Sequence, residues 1–178
     1  MNDNKLLDEV YYMITIANDK LFHIWVTQIV FSWRWWLEMG LIVLPWLIWV
    51  KIRDQKDTVR LLFVGLFVAL VTSTLDNIGI SYGLWHYDWK PFPFICSYFP
   101  WNYSVFPVVV MLILQFKPEV GSLMKAVGFA LVCALIFEPF ASWIGLYDPS
   151  HWKFWYSFII YIPLYLIFNY LYKSRLFN

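Results

Sequence analysis

Charge is scarce in this chain. Asp, Glu, Lys and Arg make up 14% of its 178 residues and almost cancel, leaving a formal net charge of +1. A soluble domain carries about a quarter charged residues, so the usual means of solvating a surface is missing. The basic residues are scattered rather than gathered on one face, which gives nucleic acid no site. Cysteine is rarer still: Cys96 and Cys133 form neither a disulfide framework nor a metal motif. One falls in a predicted loop and the other in an apolar run, so no bridge between them is expected. GxSxG, P-loop, HExxH and dinucleotide fingerprints are all absent, which withdraws support from soluble-type catalysis. Residues Met1 to Glu9 are polar and lack a basic segment followed by an apolar one, so no cleaved signal peptide is expected.

What fills the chain instead is apolar. Hydrophobic residues make up 61%, with a mean hydropathy of +0.60. One small core cannot hide so much apolar surface, and lipid must solvate a large part of it. The 12 Trp and 12 Tyr exceed the needs of a core and are the residue types that collect at membrane interfaces. Five apolar runs, 35–50, 58–80, 98–116, 122–145 and 154–172, each approach the roughly 20 residues that span a hydrocarbon layer.

Ahead of them, in residues 1–34, Leu6, Leu7, Val10, Met13, Ile14, Ala17, Leu21, Ile24 and Trp25 recur at helical spacing among Asp8, Glu9, Asp19 and Lys20. That pattern predicts an amphipathic helix lying in the interface or against the bundle. A sixth span is the alternative, and Asp19, Lys20 and His23 oppose it. The expected architecture is therefore all-α: an N-terminal interfacial helix over 1–34, then a bundle of five transmembrane helices over 35–178.

The positive-inside tendency sets the expected orientation. Lys51, Arg53, Lys56 and Arg60 flank the first connection, Lys117 and Lys125 the third, and Lys173 and Arg175 lie at the C-terminus. The other two connections hold only Lys90 and Lys153. The C-terminus is expected in the cytoplasm and the N-terminus outside, although Lys5, Lys20 and Arg34 pull the other way.

The order of motifs predicts an internal duplication, with units at about 58–117 and 121–173. Asp76 is followed after seven residues by Gly83-Leu84-Trp85, and Glu138 after seven residues by Gly145-Leu146-Tyr147. Each segment continues to an Asp (Asp88, Asp148) and a Trp-Lys pair (Trp89-Lys90, Trp152-Lys153). Pro107 and Pro163 each stand ten residues before a lysine, and the first copy carries an extra stretch around Pro91 to Phe99. Parallel repeats place matched positions at one depth around a shared interface.

That arrangement makes Asp76 and Glu138 the candidate site. An acid within hydrocarbon costs several kcal/mol unless paired, so intramembrane carboxylates default to a functional hypothesis. Two of them close together form a proton-sharing pair suited to acid–base work or cation binding. The competing reading is structural. Asp76 stands among Thr72, Ser73, Thr74 and Asn77, a patch able to join helices, and Glu138 precedes Pro139, whose missing N–H frees a carbonyl. His86, Asp88, Asp148 and His151 offer metal-ligand types, but without ligand spacing they read as solvated loop residues. Arg34 and Glu38, four apart, are expected to pair on one helical face beside Trp33, Trp35 and Trp36. Pro45, Pro107, Pro139 and Pro163 interrupt four of the five runs.

Trp35-Trp36, Leu44-Pro45-Trp46, Asp76-Asn77-Ile78-Gly79 with Gly83-Leu84-Trp85, Glu138-Pro139, and Trp152-Lys153 followed by Tyr156-Ser157 resemble an uncharacterised family. Its members are small multi-pass membrane proteins of spore-forming Gram-positive bacteria. That resemblance, from about Trp35 to the C-terminus, implies a protein of the bacterial plasma membrane. A more local string, Asp76…Gly79…Gly83-Leu84-Trp85…Tyr87, is similar to the membrane-embedded carotenoid-type lycopene cyclase domain and implies an isoprenoid ligand. That family also has a Pro-x-Glu-Glu motif, where this chain has Pro100-Trp101-Asn102-Tyr103 without carboxylates.

Taken together, the sequence favours a non-enzymatic membrane protein binding lipid or a partner subunit, alone or as a homo- or hetero-oligomer, with neither cofactor nor metal. Two alternatives remain: an enzyme or binder acting on an isoprenoid or lipid through Asp76 and Glu138, and a small cation-coupled transporter or channel component.

Overall fold

The computed structural model describes residues 3–174, so Arg175 lies outside the described residues. Apolar side chains at every turn, few charges and stiff aromatic content yield helices throughout, and no strand occurs among the described residues. The helices are α1 (Asp3–Ile24), α2 (Trp33–Ile52), α3 (Thr58–Ser81), α4 (Phe106–Gln115), α5 (Ser122–Val132), α6 (Glu138–Trp143) and α7 (Phe154–Lys173). Three π-helical turns precede or join them: Trp25–Ile29 after α1, Trp101–Val105 leading into α4, and Cys133–Phe137 linking α5 to α6.

Four of these helices are long and apolar enough to cross a membrane: Trp33–Ile52, Thr58–Ser81, the continuous Ser122–Trp143 and Phe154–Lys173. The run expected over 98–116 gives a shorter apolar helix, Trp101–Gln115. Its placement explains the difference. Phe106, Val108, Val110, Met111 and Leu114 are buried because α2, α3 and α7 pack around it. A helix sheathed by others does not need the length that lipid demands of an outer one. The core runs through it: Leu61, Val64 and Val68 of α3, Phe129 of α5, and Tyr165 and Phe168 of α7 close around Phe106 and Met111.

The prolines account for two of the π-helical turns. Pro107 and Pro139 each stand two residues past such a turn. A proline has no N–H for the carbonyl one turn back, and widening that turn relieves the mismatch. Where Pro107 leaves the Tyr103 carbonyl free, the Trp46 indole of α2 donates to it at 3.1 Å. A sequence-imposed defect thereby joins two helices.

The N-terminal α1 is exposed along its whole described length and is not among the helices suited to spanning. Trp25, just past it, donates to the carbonyls of Lys90 and Pro91 at 3.1 and 3.2 Å. Ser32 then caps α2 by accepting from the Trp35 amide at 3.2 Å, as a serine in extended backbone does.

Candidate functional site

The ends of α3 and α6 are built alike. Gly83 and Gly145 both adopt positive φ, 66° and 76°, the left-handed conformation a glycine takes without strain. Behind each, the same two bonds close the helix: Gly83 N–H to Ile80 O and Leu84 N–H to Gly79 O, against Gly145 N–H to Ser142 O and Leu146 N–H to Ala141 O. These are paired Schellman caps. Beyond them the two connections meet as an isolated antiparallel bridge between His86 and Asp148, with N–H···O distances of 3.0 and 2.9 Å. His86 and Asp148 stand at the same distance past Gly83 and Gly145, so each is the other's counterpart.

Beneath this bridge lies a cavity of about 250 Å³, lined by residues that include both Asp76 and Glu138. The sequence-predicted acids thus share one chamber. Asp76, on α3, is 6% exposed and receives four hydrogen bonds. Trp85 Nε1 (2.7 Å) and the Tyr87 hydroxyl (2.9 Å) donate to Oδ1, and the Tyr98 amide (2.7 Å) and Asn102 Nδ2 (2.6 Å) donate to Oδ2. Four donors are what an acceptor-only carboxylate takes. Of the polar patch read around it, Thr72 and Ser73 are buried while Thr74 and Asn77 face outward.

Glu138 is less well supplied. Tyr161 donates its hydroxyl to Oε1, while Oε2 is buried without a hydrogen-bond partner among the described residues. The Ser157 hydroxyl beside it accepts the Trp152 indole N–H at 2.8 Å and keeps its own O–H to donate toward the Glu138 carboxyl. Tyr147, the counterpart of Trp85, stands against the cavity. Burial, then Glu138, then Asp76 hold its phenol far above the ordinary tyrosine range. Tyr87 is raised likewise, by burial first and Asp76 second. Both phenols therefore remain proton donors at neutral pH.

The cavity wall is mostly aromatic and apolar, with Thr72, Asn102 and Ser157 as polar members beside the two acids. Trp85 meets Trp152 edge-on at 4.9 Å, Tyr87 lies 5.6 Å from Tyr147, Trp101 lies 5.7 Å from Phe106, and Phe106 lies 5.3 Å from Tyr161. Among the described lining residues there is no Lys, Arg or His. Lining residues that are also well exposed are Leu75 and Ile78 of α3, Phe137 before α6 and Ile160 of α7. All four are apolar and belong to helices long enough to span a membrane, so the open rim of the cavity is apolar.

A third buried acid was read in the sequence only as a partner for Arg34. Glu38 on α2 is fully buried and accepts from the Tyr98 hydroxyl at 3.1 Å, while its Oε2 has no partner among the described residues. The expected Arg34–Glu38 pair does not form. Arg34 stacks on Trp33 and Trp89 instead, at 4.9 and 4.6 Å, because the rings take the guanidinium at the interface while Glu38 turns inward. One acid in an otherwise apolar turn was the available signal. Asn102 was passed over as well, although it falls in the stretch compared with the Pro-x-Glu-Glu motif.

Of the loop histidines, His86 clusters with the acids, whereas His151 Nδ1 lies 3.2 Å from the Gly83 carbonyl oxygen. His86 Nε2 lies 3.2 Å from Asp88 Oδ1 and 3.6 Å from Asp148 Oδ2, about half exposed, with Ser150 Oγ 3.1 Å from Nδ1. Among the described residues no group of three His, Cys, Asp or Glu is placed to hold a metal ion. Lys90, in the same connection, donates to the Cys96 carbonyl at 3.0 Å, and burial lowers its pKa from the ordinary lysine value. Comparison with protein-family models, with curated proteins and with solved structures yields no match to this chain.

Proposed function

We propose that this is a multi-pass membrane protein that holds one end of a lipid-like molecule in the cavity between α3, α6 and α7, without covalent chemistry. The observation that carries this reading is the cavity's composition: aromatic walls, an apolar rim and two acids inside. Pockets for whole drug-sized ligands run from about 300 to 1,000 Å³, so a volume of about 250 Å³ suits the end of a longer molecule. The rest of that molecule lies in the bilayer. Phosphate head groups fit poorly, since two carboxylates and no base face them.

In this reading Asp76 organises the site and Glu138 addresses the ligand, because four donors occupy the first and one the second. The Trp101–Gln115 helix serves as the fifth crossing with its π-helical turn and the preceding residues. The repeated caps and the bridge between counterparts support an origin by duplication of a two-helix unit. The N-terminus lies outside and the C-terminus in the cytoplasm of a bacterial plasma membrane, as the basic residues favour.

A second reading is acid–base work on an isoprenoid or lipid substrate, favoured by the spare oxygen of Glu138. It rests on that acid alone, since Asp76 is fully engaged. The test is lipid analysis by mass spectrometry on protein purified in native-membrane nanodiscs. One lipid class is expected to be enriched with the wild type and lost with a folded Glu138→Gln variant. Bulk lipid alone in both samples would sink the proposal. Enrichment of a chemically altered lipid would favour the enzyme.

A further inference from the structure

Three features of the cavity concern charge rather than shape. Two acids line it, and no cationic side chain does so among the described residues. Its walls carry nine aromatic residues, Trp85, Trp101, Tyr147 and Trp152 among them. One oxygen of Glu138 is buried without a donor. Ring faces are negative and attract cations, most strongly where water is excluded. A buried acceptor left without a donor costs about 1–3 kcal/mol, and more when charged, so a cationic hydrogen-bond donor would complement the site in both charge and hydrogen bonding.

We infer that the cavity takes the ammonium end of an alkylamine, with an N–H directed to Glu138 and the hydrocarbon chain leaving over Leu75, Ile78, Phe137 and Ile160. This rests on the proposed binding role of the same cavity and names the chemical class it binds. An alcohol offers the donor without the charge and leaves the aromatic walls unused. A zwitterionic phospholipid brings a phosphate toward two carboxylates. An alkylammonium satisfies both requirements: its charge faces the rings, and its N–H supplies the donor Oε2 lacks. Asp76 contributes through the field rather than by contact, because its acceptor sites are taken by Trp85, Tyr87, Tyr98 and Asn102.

The experiment is a binding measurement on the full chain in uncharged maltoside micelles at pH 7, using tritiated decylamine and tritiated decan-1-ol. It compares the wild type with Glu138→Gln and with Ala141→Phe, whose ring fills the cavity. The amine is expected to bind wild type about tenfold tighter than the alcohol or better. Glu138→Gln should weaken the amine more than the alcohol, leaving only the preference that the rings and Asp76 supply, and Ala141→Phe should abolish binding of both. Equal affinities in the wild type, or a preference for the amine that is undiminished in Glu138→Gln, overturns the inference. If equal affinities are lost together in Ala141→Phe, the cavity still binds lipid-like chains and only the cationic head group is wrong. If Ala141→Phe leaves both ligands bound, the cavity is not the site and the underlying reading fails with it.

Discussion

The segments around Asp76 and Glu138 run in step through their caps and then part. Both acids sit seven residues before a left-handed glycine, both helices close with the same pair of hydrogen bonds, and both feed an aromatic residue toward the cavity. The first segment then carries a longer stretch around Pro91 to Phe99, and its end returns the Tyr98 amide to Asp76. Asn102, on the next turn, adds a side-chain donor. The second connection is shorter, and Glu138 is left with Tyr161. One frame therefore yields two chemistries, set by how much chain is available to supply donors. An acid that has been fully satisfied becomes a structural knot. Its counterpart keeps unused capacity.

The sharpest way to break this contrast is Asp76→Asn. Its NH2 would replace one acceptor oxygen and set donor against donor at two of the four positions; the expected loss is about 3–5 kcal/mol, read as a large drop in the thermal midpoint. An unchanged midpoint would mean that the four bonds are not structural. Next comes Gly79→Ala. A methyl there overlaps the indole of Trp85, so the ring must move off Asp76, at about 1–3 kcal/mol; pairing it with Trp85→Phe should relieve part of that cost, whereas strictly additive losses would refute the contact.

Tyr98→Phe removes only the hydroxyl bond to Glu38 and spares the amide bond to Asp76. About 1–2 kcal/mol is expected, and a loss as large as that of Asp76→Asn would show that Tyr98 does more than join two acids. Smallest of all is Glu138→Gln, within about 1 kcal/mol of wild type, because one hydrogen bond from Tyr161 can be kept. A collapse of this variant comparable to that of Asp76→Asn would erase the difference between the two acids.

Much of this fold was legible because helices in lipid announce themselves by length and hydropathy. The runs read over 58–80 and 154–172 match Thr58–Ser81 and Phe154–Lys173 to within a residue. The 98–116 run was harder, since hydropathy cannot tell a lipid-facing helix from one sheathed by its neighbours, and Trp101–Gln115 is the latter. Asp76 and Glu138 were legible as isolated acids in apolar surroundings, and the matching offsets to Gly83 and Gly145 placed them together. The donors were not. Tyr98 reaches Asp76 through its backbone amide, which no side-chain pattern encodes. Glu38 was misread because an arginine four residues away offered a local partner, whereas its burial depends on a tyrosine sixty residues further along. Local spacing shows which pairs are possible, and tertiary packing chooses among them.

The bridge between His86 and Asp148 bears on how a ligand would arrive. Two backbone hydrogen bonds lash the connections together over one end of the cavity, so those ends cannot part without breaking both. The apolar rim lies elsewhere and, in the proposed reading, opens to hydrocarbon. A molecule entering there has already left water, and the relevant concentration is its mole fraction in the bilayer. Two ligands with identical heads would then rank by how well their tails dissolve in lipid, and a tail that keeps its owner in solution would silence a perfectly matched head.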